Sequence, residues 1–272
     1  MGYPPKVNCM LLVVIRKGGL FMYSYYQQNK EKKDSLEEFK VRPCCKDVWN
    51  AFMAEGAKFG KCDIPICPTT ATSIPNDLIT WDDARQIYIK HRNKKEYNFF
   101  VDAYINWYTD DYKFDNSQGI WQNPKKALEI ITHFAGIITP DFSTYQDFPE
   151  PIKLYATYRM RLFGYWLGKR GINVINNVRW GTEETYLYCF EGIPEKSIVC
   201  IGTVGGGPRK LENRERFEKG LNKMVEILHP QTILIYGSAN GKCFEELKKQ
   251  GIQVVSYPSK TARDFERRKH HE

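Results

Sequence analysis

The stretch IVCIGTVGGG, residues 198–207, contains the two features that decide the fold. Its first five residues form a short, continuous apolar run, which is typical of a strand that is buried on both faces. Thr203 and Val204 follow this run, and three glycines come next. Arg209 and Lys210 then precede a helical pattern that begins at residue 214. The sequence therefore predicts a β-strand that leads through a glycine-rich loop into an α-helix.

Similar units recur on both sides of this stretch. Strands are predicted at residues 97–107, 135–139, 172–178, 198–202, 232–236 and 252–257, and helices between them at 124–133, 151–170, 183–190, 214–228 and 243–250. Alternation at this spacing favours right-handed βαβ units and a parallel sheet. We therefore expect an α/β fold whose mostly parallel sheet of βα units is β/α-barrel-like, with an open doubly wound sheet as the alternative.

The chain divides into three regions. Residues 1–96 are predicted to form an irregular N-terminal extension, in which an apolar run at residues 11–15 is a candidate for a strand that closes a barrel. Within this extension, a helix is predicted at residues 81–90, with Thr80 as its N-cap. Residues 97–258 are predicted to form the β/α domain, and residues 259–272 a basic C-terminal tail.

Composition limits the classes of function. The chain has 272 residues, of which 42% are hydrophobic and 14% aromatic, so it is not a fully disordered protein. No apolar run approaches the roughly 18 residues of a membrane helix, and the apolar segment near the N-terminus is too short for a signal peptide. We therefore expect a cytoplasmic protein with no membrane partner.

The net charge of +8 suits an anionic partner. Basic residues cluster at positions 30–33, 90–95 and 263–269. These clusters are either solvated faces with a frayed tail, or the footprint of a nucleic acid.

Four of the eight cysteines crowd into one polar, loop-like region: Cys44, Cys45, Cys62 and Cys67. The spacing of Cys62 and Cys67 suits a structural Zn²⁺ site, but the adjacent pair Cys44 and Cys45 does not. Reduced thiols are the default in a chain without a signal peptide. The region is therefore either a zinc site or a group of reduced structural thiols.

The candidate ligand site lies at the carboxyl ends of the strands, where both architectures bind their ligands. Glycines at two consecutive strand ends let main-chain amides face an anion, and the helix N-termini that follow add positive charge. This arrangement is typical of a site for a phosphate-bearing ligand, and a flexible turn is the alternative explanation of the glycines. The residues concerned are Thr203, Gly205, Gly206, Gly207, Gly237 and Ser238.

Other strand ends supply charged and aromatic side chains. Asp102, Asp111 and Asp141 are candidate catalytic residues, because paired carboxylates hold Mg²⁺ or Mn²⁺ against a phosphate or act as general acid and base. A turn or a helix cap explains Asp111 and Asp141 as well. We expect Arg179 to offset the charge of the ligand, and Trp180 to stack on its base or sugar.

Arg161 lies on the apolar side of the helix predicted at residues 151–170. A charge in such a position needs a partner, because burying it unpaired is costly. We expect Arg161 to have a structural role, either in an ion pair or in a stacking contact.

Several motifs follow one another in a specific order. They are the aspartate-containing strand FVDAYINWYTDDYKFD, then PDFS, YRMR, GYW, NVRW and CFEGIP, and finally the strand TILIYG. With these motifs, residues 97–257 resemble the uncharacterised family catalogued as domain of unknown function 4417, whose members occur in bacteria, bacteriophages and other mobile elements. The resemblance implies a phage or mobile-element setting, and it implies no reaction.

Two functions remain open. The first is an enzyme, a metal-assisted phosphoester or nucleotide hydrolase, that binds and processes a nucleotide or nucleic acid. The second is a non-catalytic binding protein that sequesters a nucleotide or blocks a host defence protein. Turnover of a nucleotide or nucleic acid would separate the two, and a host or phage protein is a candidate partner for the second.

Overall fold

A computed structural model describes residues 44–204 and 211–269 of the chain. The strand candidate at residues 11–15 and the basic cluster at residues 30–33 lie outside this part. The seven strands of the described part are β1 (Leu78–Thr80), β2 (Val101–Asn106), β3 (Phe134–Ile138), β4 (Val174–Asn177), β5 (Ile198–Gly202), β6 (Thr232–Tyr236) and β7 (Gln253–Tyr257).

Six α-helices follow the strands or connect them. They are α1 (Trp81–Asn93), α2 (Pro124–Ile131), α3 (Glu150–Gly168), α4 (Leu211–Leu228), α5 (Lys242–Lys249) and α6 (Lys260–Lys269), and 3₁₀ turns form at Ala51–Ala54, Asp111–Lys113 and Glu183–Leu187. Thr80 caps α1 as predicted, because its Oγ1 accepts a hydrogen bond from the amide of Asp83. No helix in the described part of the chain has both the length and the apolarity to cross a bilayer.

The strands form one sheet in chain order, and each strand pairs in parallel with the next. A doubly wound sheet requires a reversal of strand order, and the described strands contain none. The structure therefore confirms the α/β fold and the parallel, barrel-like sheet, which here is a curled half-barrel. The sequence did not predict β1, which lies before the boundary at residue 97 and adds an edge strand to the sheet.

Alternate side chains of the strands pack on opposite faces of the sheet, as the period of two requires. One face packs against the helices through Ile105, Ile137, Val174, Val199 and Ile233. The other face forms a separate inner cluster from Leu78, Tyr104, Ile138, Ile175, Cys200 and Leu234. Because both faces are apolar, the strands appear in the sequence as continuous apolar runs.

Arg161 of α3 is fully buried, and its partners are main-chain carbonyls. Its Nε donates to the oxygen of Glu191 at 3.2 Å, Nη1 to that of Asn177 at 2.9 Å, and Nη2 to that of Cys189 at 3.0 Å. The expected ion pair or stacking contact is therefore wrong. Arg161 instead ties α3 to the end of β4 and to the segment that leads into β5.

Helix α6 lies across the gap between the two edge strands, β7 and β1. The guanidinium of Arg263 donates to both carboxylate oxygens of Asp77, at 3.0 and 2.6 Å, and to the carbonyl of Leu78 at 2.8 Å. Lys260 pairs with Asp83 of α1, and the hydroxyl of Tyr257 donates to the carbonyl of Pro75 at 2.5 Å. The predicted basic tail therefore contains a helix that fastens the two ends of the sheet.

Candidate functional site

A cleft of about 790 Å³ opens at the carboxyl ends of the strands. Its volume lies within the range of small-molecule sites, which is roughly 300–1,000 Å³. We call it the strand-end cleft. Residues that follow β2 to β5, together with the first turns of α4, line it, and they include Tyr108, Asp141, Ser143, Arg179, Gly202 and Arg216.

Asp141 follows β3 and is only 8% exposed. Its Oδ1 accepts a hydrogen bond from Nδ2 of Asn177 at 2.8 Å, and its Oδ2 accepts one from Nη1 of Arg179 at 2.5 Å. The main-chain N–H of Asn177 in turn donates to Oγ1 of Thr139 at 2.8 Å. The ends of β3 and β4 are therefore joined by a charged, hydrogen-bonded network that lies against the cleft.

Tyr108 extends this network to the end of β2. Its hydroxyl donates to Oδ1 of Asn177 at 2.9 Å, and its ring stacks on Tyr236 with a centroid distance of 5.2 Å. The ring also lies over Gly202, where a Cβ would stand 2.5 Å from the Tyr108 ring. Glycine at the end of β5 is therefore required for this close approach, and burial raises the pKa of Tyr108 well above its ordinary value.

Asp111 supplies a second carboxylate near Asp141. Its two oxygens accept hydrogen bonds from the amide and the hydroxyl of Ser143, at 2.9 and 2.7 Å. The guanidinium of Arg179 lies 5.6 Å from the ring centroid of Tyr145. The predicted residues Asp111, Asp141 and Arg179 are therefore brought together at one edge of the sheet.

The pKa shifts in this network have opposing causes. Burial raises the pKa of Asp141, and Asp111 adds to the rise, while Arg179 and Asn177 oppose it without cancelling it. Burial lowers the pKa of Arg179, but the charges of Asp141 and Asp111 outweigh this effect and leave its pKa raised. Arg179 therefore stays cationic, and Asp141 holds its proton to a higher pH than an ordinary aspartate.

The structure does not bring Asp102 to the strand-end cleft. Asp102 is the second residue of β2, so it lies toward the amino end of the strand, where its Oδ2 accepts a hydrogen bond from Asn76 at 2.6 Å. The sequence placed this residue in a strand over residues 97–107 but could not fix which strand end it would approach. Its expected pairing with Asp141 is therefore wrong.

Trp180 lines the cleft, but its ring also packs within the protein. Its centroid lies 5.5 Å from that of Phe217, and a Cβ on Gly220 would stand 2.1 Å from its Nε1. Trp180 therefore joins the segment after β4 to α4. Stacking of this ring on a ligand stays a prediction.

The glycine-rich strand ends are described only in part. Gly205, Gly206 and Gly207 lie outside the described residues. The amide of Thr203 donates to Tyr236 O at 3.0 Å, and the amide of Gly237 donates to Tyr257 O at 2.8 Å. The amides of Thr203 and Gly237 are therefore occupied within the sheet and do not face an anion. Anion binding by the amides of Gly205, Gly206 and Gly207 stays a prediction. Oγ1 of Thr203 donates to the carbonyl of Ser238 at 3.1 Å, so the two loops touch.

The four crowded cysteines are free thiols in the structure. In residues 44–204 and 211–269, no group of three or more His, Cys, Asp or Glu side chains has the arrangement of a metal site. Cys44 and Cys45 are exposed, Cys62 is half-buried, and Cys67 is buried with its thiol donating to the carbonyl of Pro68. Burial raises the pKa of Cys67 to about 12. Zinc binding stays a prediction.

Sequence reasoning assigned no role to three residues of the cleft. Asn177 and Tyr108 each stand at or just after a strand end, which is the signal that could have identified them. Arg216 lies on α4 and faces the cleft only because of the way that helix packs. Arg216 is not close to a predicted strand end, so nothing in the sequence indicates that it lines the cleft.

Two curated phage proteins are similar to this chain. The Gene 1 protein of Mycobacterium phage L5 is 31% identical over 164 residues, which is 60% of this chain and 66% of the relative. The Gene 1 protein of Mycobacterium phage D29 is 30% identical over 166 residues, which is 61% of this chain and 57% of the relative. The aligned region thus spans less than two thirds of either relative. No solved structure matches the chain.

A family model matches residues 58–258. The match covers most of the chain, and the two phage relatives support a phage-associated family. It confirms the resemblance inferred from the motifs and extends it to residues that precede them. The chain therefore belongs to the phage-associated family described as Domain of unknown function (DUF4417).

Proposed function

We propose that the strand-end cleft binds a phosphate-bearing ligand, either a nucleotide or a nucleic-acid end, and that Asp141 transfers a proton during its processing. One observation carries this proposal. A buried carboxylate with a raised pKa lies against a cationic guanidinium at the carboxyl edge of a parallel sheet. Perturbed titratable groups in a cleft at this position are typical of catalytic sites.

Two arginines are the proposed anion ligands. Arg179 uses one Nη1 hydrogen for Asp141, and a guanidinium has five N–H donors, so donors remain for a phosphate. Arg216 lines the cleft from α4 and forms no ion pair with the side chains that the structure describes. Together these cations offset the charge of a ligand held between β4 and α4.

Asp141 is the proposed general acid or base. Asn177 and Arg179 each hold one of its carboxylate oxygens and thereby fix its orientation. Proton transfer needs a positioned group whose pKa lies closer to the working pH than that of a free aspartate. A Mg²⁺ or Mn²⁺ ion on Asp141 would have to displace Arg179, so we assign any divalent ion to the phosphates of the ligand.

The test measures binding and turnover separately. The purified protein is incubated with nucleotides and with 5′-phosphorylated oligonucleotides, with and without Mg²⁺, and products are identified by mass spectrometry. Asp141→Asn is expected to lower turnover by about 10²–10⁴-fold with binding retained, and Arg179→Gln to weaken binding. Asp102→Asn is the matched control, because it makes the same change away from the cleft. Unchanged turnover in Asp141→Asn would overturn the proposal.

The alternative is a non-catalytic binding protein. It is favoured by the contacts of Asp141, because both of its oxygens already accept hydrogen bonds from the protein. Binding of a nucleotide without turnover would select this alternative. If no nucleotide binds, a host or phage protein becomes the partner to seek, and the cleft has a different ligand.

A further inference from the structure

A second cavity, of about 360 Å³, lies on the side of the molecule where β1 and β7 do not pair. We call it the edge groove. It is lined from β1, α1 and α6, and its charged lining residues are Asp83, Lys90, Lys260, Arg263, Asp264 and Arg267. Two basic clusters that are distant in the sequence, residues 90–95 and 263–269, therefore meet at one groove.

The fold explains why the clusters converge. Helix α1 begins directly after β1, and α6 begins shortly after β7, so both helices start at the carboxyl ends of parallel strands and run back along the sheet. Each helix carries its basic residues in its last turn: Lys90, His91 and Arg92 in α1, and Arg267, Arg268 and Lys269 in α6. The two basic ends consequently lie at the same end of the groove.

The first turn of α6 is electrically neutralised, whereas its basic end is not. Lys260 pairs with Asp83, and Arg263 pairs with Asp77. Lys90 and Arg267 also line the groove, but they form no ion pair with the described side chains. Exposed cations that are likewise unpaired within the described part flank them: Arg92, Lys94, Lys95 and Arg268. The basic end therefore has a surplus of positive charge, which Glu96, Asp264 and Glu266 offset only in part.

We propose that the edge groove binds the phosphodiester backbone of a nucleic acid. Lysine is depleted at the centres of protein–protein interfaces, whereas surfaces that bind phosphate backbones are rich in exposed Lys and Arg. The composition of the groove rim therefore favours a nucleic acid over an acidic protein. The proposal does not rest on the function of the strand-end cleft, since the observations belong to different residues.

The test compares two variants with the same loss of charge. Lys90→Gln/Arg267→Gln removes two groove cations, and Lys125→Gln/Lys126→Gln removes two exposed cations of α2. Fluorescence anisotropy measures affinity for labelled single-stranded and duplex DNA and RNA between about 50 and 200 mM salt. On single strands, the groove variant is expected to reduce the salt slope by about 1.4, because each lost phosphate contact removes about 0.7. At about 0.1 M salt, this corresponds to about 25-fold weaker binding.

The outcomes separate the possible ligands. The relative affinities for single-stranded and duplex DNA and RNA show which kind of nucleic acid the groove binds. Equal slopes in the groove variant and the α2 control would overturn the proposal, as would binding of an acidic peptide but of no nucleic acid. The groove variant is expected to leave mononucleotide binding unchanged, whereas Arg179→Gln weakens it, so failure at one site is distinguishable from failure at the other. Thermal unfolding verifies that the exposed substitutions leave the fold intact.

Discussion

Replacing Arg161 with methionine tests whether this buried side chain holds α3 against the end of β4 and the segment before β5. Methionine keeps an unbranched apolar side chain but has no donor, so Arg161→Met removes three hydrogen bonds to main-chain carbonyls. Hydrogen bonds from a charged group contribute about 1.5–3 kcal/mol each, so the gross loss is about 4.5–9 kcal/mol. Relief from burying the guanidinium, which costs several kcal/mol, offsets part of that loss.

The net loss in free energy of unfolding is expected to be about 3–5 kcal/mol, because three main-chain carbonyls lose their donor at about 1–3 kcal/mol each. Proteins are stable by only about 5–15 kcal/mol, so this is a large fraction. In a domain of this size, it corresponds to a fall in Tm of about 6–20 °C. Urea titration and thermal unfolding, each followed by tryptophan fluorescence, measure the loss.

Arg170→Met provides the matched control. Arg170 is exposed, follows the same helix, and donates one hydrogen bond, to the carbonyl of Trp166 at 3.0 Å. Its substitution is expected to cost less than about 1 kcal/mol. Equal losses in the two variants, or a loss below about 1 kcal/mol for Arg161→Met, would refute the reasoning.

Three further predictions concern titration, reactivity and packing. Because burial raises the pKa of Asp141, its contribution to stability is greatest at acid pH. It is lost as the pH rises from the ordinary aspartate value through the folded pKa, and urea titrations across pH should lose this component in Asp141→Asn. Iodoacetamide should modify Cys44 and Cys45 in the native protein but spare the buried Cys200, whose pKa of about 12 leaves about one thiolate in 10⁴ at about pH 8; rapid labelling of Cys200, measured by peptide mass spectrometry, would be contrary to the structure. Gly220→Ala should lower stability by about 1–3 kcal/mol, because its Cβ would meet the Trp180 ring, and a Tm equal to or above that of the wild type would argue against this packing.

The sequence predicted best the strands that are buried on both faces. The runs at residues 198–202 and 232–236 match β5 and β6 residue for residue. Both faces of these strands are buried, so consecutive residues are apolar and the run is continuous in the sequence. The edge strand β1 has only three residues, Leu78–Thr80, and its pairing depends on the distant β2. The pattern of residues within such a short segment does not reveal a pairing with a distant strand, so it could not predict β1.

The candidate site was predictable to the extent that it depends on strand ends. Asp141 and Arg179 were identified because they follow predicted strands, and the structure brings them into contact. Asp102 was misplaced because the predicted strand began too early, and a few residues along a strand decide which edge a side chain approaches. The packing of Trp180 on Gly220 depends on the placement of α4, which no local pattern specifies.

The bridge from Arg263 to Asp77 joins residues that are 186 positions apart. During translation at about 5–20 residues per second, β1 is synthesised about 10–40 s before helix α6, which carries Arg263. For that interval, the nascent chain displays a strand edge that lacks its covering helix, and such edges pair readily with other chains. A premature stop codon ahead of residue 260 makes this interval permanent, and the truncated product is expected to accumulate as aggregates.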